Sequence, residues 1–255
     1  MRSQAEKAGL FRSLHEGGHP LVLFNIWDAG SARTVADSGA SALGTASWAV
    51  AAAHGHADGE RIPLDWVLDN LTRIVAATDL PVTLDLESGY GQSAADVGQT
   101  VARAIAAGAI GCNLEDSLPA DGRLRDPGEQ AKRLAQARKA AEAAGIPFFI
   151  NARTDVFFQK PPEAHDRTMV DDALQRARIY AEAGADGLFV PGLVDERLIA
   201  ELVKGAPLPV NIMAGAATPP LARLAELGVA RISHGPGPYL AAMRALSEAA
   251  KSASL

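Results

Sequence analysis

Ala106-Ala107-Gly108-Ala109-Ile110-Gly111 reads as the end of a helix, a glycine at the C′ position, and the first residues of an apolar strand. The same punctuation recurs at Gly39-Ala40-Ser41-Ala42-Leu43-Gly44-Thr45, at Ala183-Gly184-Ala185-Asp186-Gly187-Leu188 and at Leu227-Gly228-Val229-Ala230-Arg231-Ile232. Three further strand entries, Leu80-Pro81-Val82, Gly145-Ile146-Pro147-Phe148 and Leu208-Pro209-Val210, place proline at a strand edge. Working outward from these marks, the sequence predicts strands near 21–25, 42–46, 82–86, 110–114, 147–151, 187–190, 208–212 and 230–233. Helical stretches separate them, beginning with Ser3–His15 and Ser31–Ser38. Strands alternating with helices signal parallel βαβ units. Eight such units in 255 residues fit an α/β fold of the (β/α)8 TIM-barrel type, one unit over residues 1–255. A doubly wound sheet is the competing topology, but no Gly-x-Gly-x-x-Gly follows the first strand.

Composition narrows the functional classes. Hydrophobic residues make up 48% of the chain and charged residues 21%, enough apolar material for a substantial core. A formal net charge of −6 leaves no basic footprint for nucleic acid. No apolar run is long enough to span a bilayer, and Met1–His15 lacks the apolar stretch of a signal peptide. The single cysteine, Cys112, excludes an internal disulfide and suits a reducing, cytoplasmic setting.

Pro81-Val82-Thr83-Leu84-Asp85-Leu86-Glu87-Ser88-Gly89-Tyr90-Gly91 carries the clearest chemical signal. A buried strand gives out into a glycine-rich turn, with carboxylates two residues apart. Side chains at i and i+2 point to the same face of a strand, so Asp85 and Glu87 converge there and need a cation or a shared proton. Catalytic groups of such barrels sit at the C-terminal ends of the strands. Read tip by tip, the chain offers Trp27 and Asp28; Thr45 and Ser47, with Asp58 in the long loop Ser47–Arg61; Asp85 and Glu87; Glu115 and Asp116; Asn151, Arg153 and Asp155; Asn211; and Ser233 and His234. Acidic oxygens without a matching Cys/His set favour Mg2+ or Mn2+. Arg153, on the next strand, suits a small carboxylate substrate.

Four ordered motifs carry a family resemblance: Asn25-Ile26-Trp27-Asp28-Ala29-Gly30-Ser31-Ala32-Arg33, Thr83–Gly91, Asn113-Leu114-Glu115-Asp116 and Asn151-Ala152-Arg153-Thr154-Asp155. Over roughly 20–245 the chain resembles the isocitrate lyase/phosphoenolpyruvate mutase superfamily. The resemblance implies a Mg2+-dependent barrel with its C-terminal helix swapped between subunits of a homodimer, two dimers pairing into a homotetramer. It also implies cleavage or formation of a bond next to a 2-oxo acid through an enolate-like intermediate. Asp85 resembles the direct metal ligand, while Glu87, Glu115 and Asp58 resemble the groups around the metal's water shell. Arg153 resembles the arginine that binds the substrate carboxylate and enolate oxygen. Thr45, Ala46, Ser47 and Asn211 resemble substrate-binding positions.

Departures from the family pattern bear on the reaction. The loop Ser117-Leu118-Pro119-Ala120-Asp121-Gly122-Arg123-Leu124 lacks the Lys-Arg-Cys-Gly-His of isocitrate and methylisocitrate lyases. Ser117 stands where phosphoenolpyruvate mutases and phosphonopyruvate hydrolases have lysine. The expectation is therefore a carbon–carbon lyase or decarboxylase for a small 2-oxo or 2-hydroxy di- or tricarboxylate. A phosphonopyruvate-type P–C enzyme and a non-catalytic 2-oxo acid binding protein are the alternatives. His234 is placed either to act as a general acid or to cap its strand. Trp27 is placed to wall the substrate or to pack the barrel mouth. Asp116 and Asp155 read as salt-bridge partners, Cys112 as helix-facing core, and His54 and His56 as solvated loop residues.

Overall fold

The computed structural model describes residues 2–16 and 18–253. Helix α1 (Gln4–Ser13) opens with a reciprocal cap: the Glu6 N–H donates to Ser3 Oγ, and the Ser3 N–H donates to Glu6 Oε2 at 2.7 Å. The chain then runs through β1 (Leu21–Leu23), α2 (Ala29–Asp37), β2 (Leu43–Gly44), α3 (Ser47–Ala53), α4 (Leu64–Ala76), β3 (Val82–Asp85), α5 (Ala94–Ala106), β4 (Gly111–Glu115), α6 (Pro127–Ala143), β5 (Phe149–Arg153), α7 (Arg167–Glu182), β6 (Gly187–Val190), α8 (Glu196–Gly205), β7 (Val210–Met213), α9 (Leu221–Glu226), β8 (Arg231–Ser233) and α10 (Gly237–Ala253). The strands pair in parallel in the order β1-β8-β7-β6-β5-β4-β3-β2. Just beyond β1, Ile26 closes the ring: its N–H donates to Gly44 O at 2.9 Å, and Ala46 N–H donates to Ile26 O at 3.2 Å. The fold is a (β/α)8 barrel, as the sequence predicts, and each strand falls within two residues of its expected bounds.

The glycine punctuation has the backbone it implies. Gly39, Gly108, Gly184 and Gly228 all take positive φ, between 83° and 100°. At Gly108 a Cβ would also lie 2.8 Å from Val75 Cγ1, so this turn admits no side chain without repacking α4.

Two expectations about elements are corrected. The stretch Ser47–Arg61 is not all loop, because Ser47–Ala53 forms α3 and buries Ala49, Val50 and Ala51. An alanine-rich run costs little side-chain entropy in a helix, and the burial completes its stabilisation. Helix α2 starts two residues before the expected Ser31, because Asp28 is its N-cap and accepts the Ser31 N–H at 2.7 Å.

Apolar packing fills the space between strands and helices. The inside of the barrel carries a polar layer between apolar residues such as Leu23 and Phe149 at one end and Phe189 and Met213 at the other. Leu71 and Ile74 of α4, Leu84 of β3 and Cys112 of β4 belong to one buried cluster, which confirms that Cys112 faces the helices. Truncating Leu71 or Ile74 to alanine would cost about 2–5 kcal/mol. Inward-facing positions carry Asn113, Asn151, Asn211, Arg231 and Ser233, all buried and hydrogen-bonded to one another. Helix α1 packs across the N-terminal strand ends, where Phe11 meets Phe149 edge-on at 5.4 Å and His15 stacks on Phe149 at 4.2 Å. Helix α10 leaves Leu240, Met243 and Leu246 exposed, and the outward face of β1 leaves Val22 and Phe24 exposed. Among the described residues, no helix is long and apolar enough to cross a membrane.

Candidate active site

Strand β3 ends at Asp85, and there the alternation rule stops. Glu87 adopts φ 51° and Tyr90 φ 51°, left-handed conformations that cost a non-glycine residue about 1 kcal/mol or more each. A clasp between two loops holds them. The Glu87 carboxylate accepts the N–H groups of Gly59 (2.8 Å) and Glu60 (2.6 Å) and the Tyr90 hydroxyl (2.7 Å). In return Glu60 Oε1 accepts the Ser88 hydroxyl at 2.7 Å and the Tyr90 N–H at 2.8 Å. Beneath the turn, buried Arg133 donates to the carbonyls of Ser88 (2.8 Å) and Gly91 (2.9 Å). Glu87 therefore does not pair with Asp85 as neighbours on one strand face. Its three hydrogen bonds tie the β2–α4 connection to the β3 turn.

Asp85 is the carboxylate that reaches the cavity at the barrel mouth. Its backbone N–H donates to Thr45 Oγ1 at 2.9 Å, and its Oδ2 accepts the Ser47 N–H at 3.1 Å. The N–H groups of Thr45, Ala46 and Ser47 donate to Thr83 O (3.1 Å), Ile26 O (3.2 Å) and Asp85 Oδ2 (3.1 Å) respectively, while Ala46 and Ser47 also line the cavity. Asp58 joins Asp85 at the cavity from the β2–α4 connection.

Opposite them stands Arg153 at the end of β5, clamped on two sides. Glu115 Oε2 lies 2.7 Å from its Nη1, and Asp155 accepts from its Nε at 2.6 Å and its Nη2 at 3.0 Å. Ser117 donates to the other Glu115 oxygen at 2.6 Å. Asp155 is itself placed by its N–H to Asp116 Oδ1 at 3.0 Å, and Asp116 is anchored by Arg176 (3.0 Å) and the Tyr180 hydroxyl (2.7 Å). Asp116 and Asp155 are thus salt-bridge partners, as the sequence reading has them. The loop after β4 is a tight hairpin, closed by Leu118 N–H to Arg123 O at 2.8 Å and Arg125 N–H to Asp116 O at 2.7 Å.

Electrostatics follow from this crowding. Burial raises Asp58 above the usual carboxylate range, and the charge of Asp85 raises it further. Burial pushes Glu87 up to about 7, against the Tyr90 hydrogen bond that favours its ionised form. Burial also raises Glu115, despite its pairing with Arg153. For Arg153, burial acts to lower the value, but Glu115 and Asp155 outweigh it and keep the guanidinium charged.

The remaining predicted residues separate into those at the cavity and those away from it. Ala46, Ser47, Asp58, Asp85 and Arg153 line it, together with Asn25, Asn113 and Ser233. Asn211 lies below, with its amide donating to Ser233 Oγ at 2.9 Å. Glu115 reaches the site through Arg153. Two assignments are corrected. The His234 ring packs against Phe24 at 5.2 Å and does not line the cavity, because Ser233 takes the inward-facing position of β8. Trp27 meets Tyr239 of α10 edge-on at 5.1 Å. The apolar wall is instead formed by Trp48, Phe158, Phe189, Pro191 and Met213, which sequence reading missed. Only the inward parity of Phe189 and Met213 on their strands could have revealed part of it.

Among the described residues, no three His, Cys, Asp or Glu side chains are gathered closely enough to hold a metal by themselves. Of Asp85, Glu87 and Glu115, Asp85 lines the cavity, while Glu87 is hydrogen-bonded in the clasp and Glu115 is paired with Arg153. The donor chemistry still fits Mg2+, which keeps several waters and takes one or two carboxylates. Asp85 and Asp58 offer hard oxygens at the cavity.

A polar barrel mouth with facing carboxylates and a clamped arginine defines an enzyme-type (β/α)8 barrel. Residues 11–254 match the family model described as phosphoenolpyruvate phosphomutase. The chain belongs to that family, within the isocitrate lyase/phosphoenolpyruvate mutase superfamily. A crystal structure from Burkholderia cenocepacia J2315, provisionally named a phosphonomutase, is 60% identical with a TM-score of 0.96, covering 98% of this chain and 100% of that one. Oxaloacetate decarboxylase of Pseudomonas savastanoi pv. phaseolicola is 34% identical over 92% of this chain and 80% of its own. 2-Methylisocitrate lyase of Escherichia coli K12 is 30% identical over 94% of this chain and 81% of its own. The family thus contains lyases and decarboxylases alongside phosphomutases.

Proposed function

We propose that this chain is a Mg2+-dependent carbon–carbon lyase or decarboxylase acting on a small 2-oxo or 2-hydroxy acid. The observation that carries the reading is Arg153, held charged and immobile by Glu115 and Asp155 across the cavity from Asp85. Asp85, with Asp58 beside it, is the group to hold the metal. When bound, Mg2+ supplies Lewis-acid polarisation of the substrate oxygens. The planar guanidinium of Arg153 presents N–H donors to the C1 carboxylate and to the oxygen on C2. In a 2-oxo acid, as the C3–C4 bond breaks its electron pair forms the C2–C3 double bond and charge builds on the C2 oxygen. A donor already fixed in place stabilises this charge without reorganising. The far fragment leaves as CO2 or a carbonyl compound, and protonation at C3 returns the 2-oxo acid. In a 2-hydroxy acid the hydroxyl proton is lost, the C2–C3 bond breaks, C2 becomes a carbonyl, and the released carbanion fragment is protonated. Asn113 lines the cavity and accepts the Asn151 amide at 2.9 Å, which keeps the base of the site ordered.

The test is release of pyruvate or CO2 from a panel of 2-oxo and 2-hydroxy acids, with and without Mg2+. Activity that survives exhaustive chelation would sink the metal assignment. Absence of turnover with tight 2-oxo acid binding would favour the non-catalytic alternative. The provisional name of the Burkholderia structure supports a second reading, P–C bond chemistry on a phosphonopyruvate-like acid. Turnover of phosphonopyruvate in preference to carbon acids would establish it.

We also propose a homodimer or homotetramer in which a second copy covers the exposed face of α10 and the outward face of β1. Leu240, Met243 and Leu246 lie exposed on one helix, with Leu246 61% exposed, and contiguous exposed apolar groups mark interaction surfaces. Leu246→Glu should lower the molecular mass measured by light scattering; an unchanged mass would remove α10 from the interface.

A further inference from the structure

Arg231 stands inside the barrel on β8, 1% exposed and the largest of the fully buried side chains. Other enclosed arginines are compensated: Arg153 by Glu115 and Asp155, Arg176 by Asp116, and Arg133 by the carbonyls of Ser88 and Gly91. Among the described residues, Arg231 pairs with no carboxylate. Its Nε donates to Ser233 Oγ at 3.2 Å and its Nη2 to Asn113 Oδ1 at 3.3 Å, while Nη1 has no partner. On its other side the Phe11 ring lies 5.9 Å from Cζ. Burial pushes the guanidinium down to about 9, still charged at neutral pH, and the charge of Asp85 acts the other way. A buried cation left in this state is costly to the fold.

Both groups that Arg231 touches line the cavity at the barrel mouth. Asn113 Oδ1 accepts from Arg231 and, at 2.9 Å, from the Asn151 amide. With two donors on its oxygen, Asn113 is turned so that its own amide faces Asp85, 3.5 Å from Oδ1. Ser233 Oγ accepts from Arg231 and, at 2.9 Å, from the Asn211 amide, so it has one hydrogen left to give. Each acceptor has a second donor, and neither would be orphaned by loss of Arg231. Among the described residues that line the cavity, Arg153 is the only cation, and two carboxylates already face its guanidinium.

We propose that Arg231 is a positioning residue whose uncompensated charge beneath the cavity is answered by the anionic substrate, through the oriented Asn113 and Ser233. This rests on the Mg2+ and 2-oxo acid reading given above. A charge enclosed by protein is screened far less than one in water. It draws an anion into the cavity and works against a second cation at Asp85. Its removal moves those two affinities in opposite directions, whereas damage to packing would weaken both.

The test is calorimetric titration of Arg231→Met, first with Mg2+ alone and then, Mg2+-loaded, with pyruvate or 2-oxoglutarate, whichever the unaltered protein binds more tightly. The acid should bind about tenfold more weakly and Mg2+ about tenfold more tightly. The thermal midpoint without ligand should be unchanged or raised, because an unpaired buried charge gives way to an apolar chain. Arg231→Lys, which keeps the charge, should return both affinities to within about threefold of the unaltered protein. Acid affinity that does not fall in Arg231→Met, or Mg2+ affinity that does not rise, would overturn the proposal and leave the 2-oxo acid reading in place. An Arg231→Met protein that does not fold would do the same, since the charge would then be structural. Failure of the unaltered protein to bind either acid would overturn that reading, and the proposal with it.

Discussion

Between β2 and β4 the cavity is lined by carboxylates whose positions are fixed by hydrogen bonds from neighbouring loops. From the β5–α7 connection round to β7 it is lined by Phe158, Phe189, Pro191 and Met213, whose positions are fixed by packing. The acidic side gathers charge that burial makes costly, as the raised Asp58, Glu87 and Glu115 show. The apolar side offers no charge to offset it. Arg153 stands at the seam and is the point where the two meet. The contrast teaches that hydrogen bonds from loops fix the charged side of the cavity and side-chain packing fixes the apolar one.

Removing the seam should have the largest effect. Arg153→Met should lower kcat/KM on the best substrate by about 10²–10³-fold or more, because a fixed donor at the developing charge is lost. It should also destabilise the fold by about 3–5 kcal/mol in denaturant titration, since Glu115 and Asp155 are left buried and unpaired. Arg153→Lys should recover stability better than activity, because an ammonium cannot bind bidentately.

On the acidic side, Asp85→Asn should abolish Mg2+-dependent turnover while leaving the thermal midpoint unchanged or raised, because it removes one of several crowded negative charges. A fall in midpoint together with retained Mg2+ response would show that Asp85 is structural and that the acidic side has no metal role.

The end of the barrel remote from both walls supplies a control. His15 donates from Nδ1 to Phe11 O at 2.9 Å, and burial, assisted by Arg231, lowers it to about 4 from 6.5. A histidine depressed on folding stays neutral in the native state, so its contribution is full above pH 6.5 and is lost as pH falls toward 4. Stability measured by denaturant should drop by about 2 kcal/mol between pH 7.5 and 5 on this account. His15→Phe should flatten that slope without altering the acid selectivity of the cavity.

The smallest effect belongs to the clasp. Tyr90→Phe removes one hydrogen bond to Glu87 and should cost about 1 kcal/mol of stability, read by denaturant titration. Its effect on turnover should exceed that cost if the clasp orders the loop that bears Asp58, and should match it if the clasp is only structural.

Much of this was legible in the chain. Four glycines at helix ends and three prolines at strand edges located seven of the eight strands, because positive φ favours glycine and proline is confined to strand edges; β1 was read from its own apolar run. Asp85, Arg153 and Asp155 were legible because charged residues at strand tips have few uses other than pairing or chemistry, and Asp58 because it sits in the long connection after β2. The roles of Glu87, Ser47 and His234 were not. Glu87 leaves the strand phase at a left-handed turn, Ser47 spends its N–H on Asp85, and His234 falls on the outer parity of β8.

The sequence by itself determined the alternation of strands and helices, the parallel barrel, and the charged groups at its mouth, since each depends on local backbone preference or on residue type. Tertiary structure alone decided which acids reach the cavity, which are consumed in holding loops, and which apolar side chains face them. Those outcomes depend on distances between segments far apart in the chain, such as Glu60 with Tyr90 or Phe158 with Gly192, and no local pattern encodes a distance of that kind.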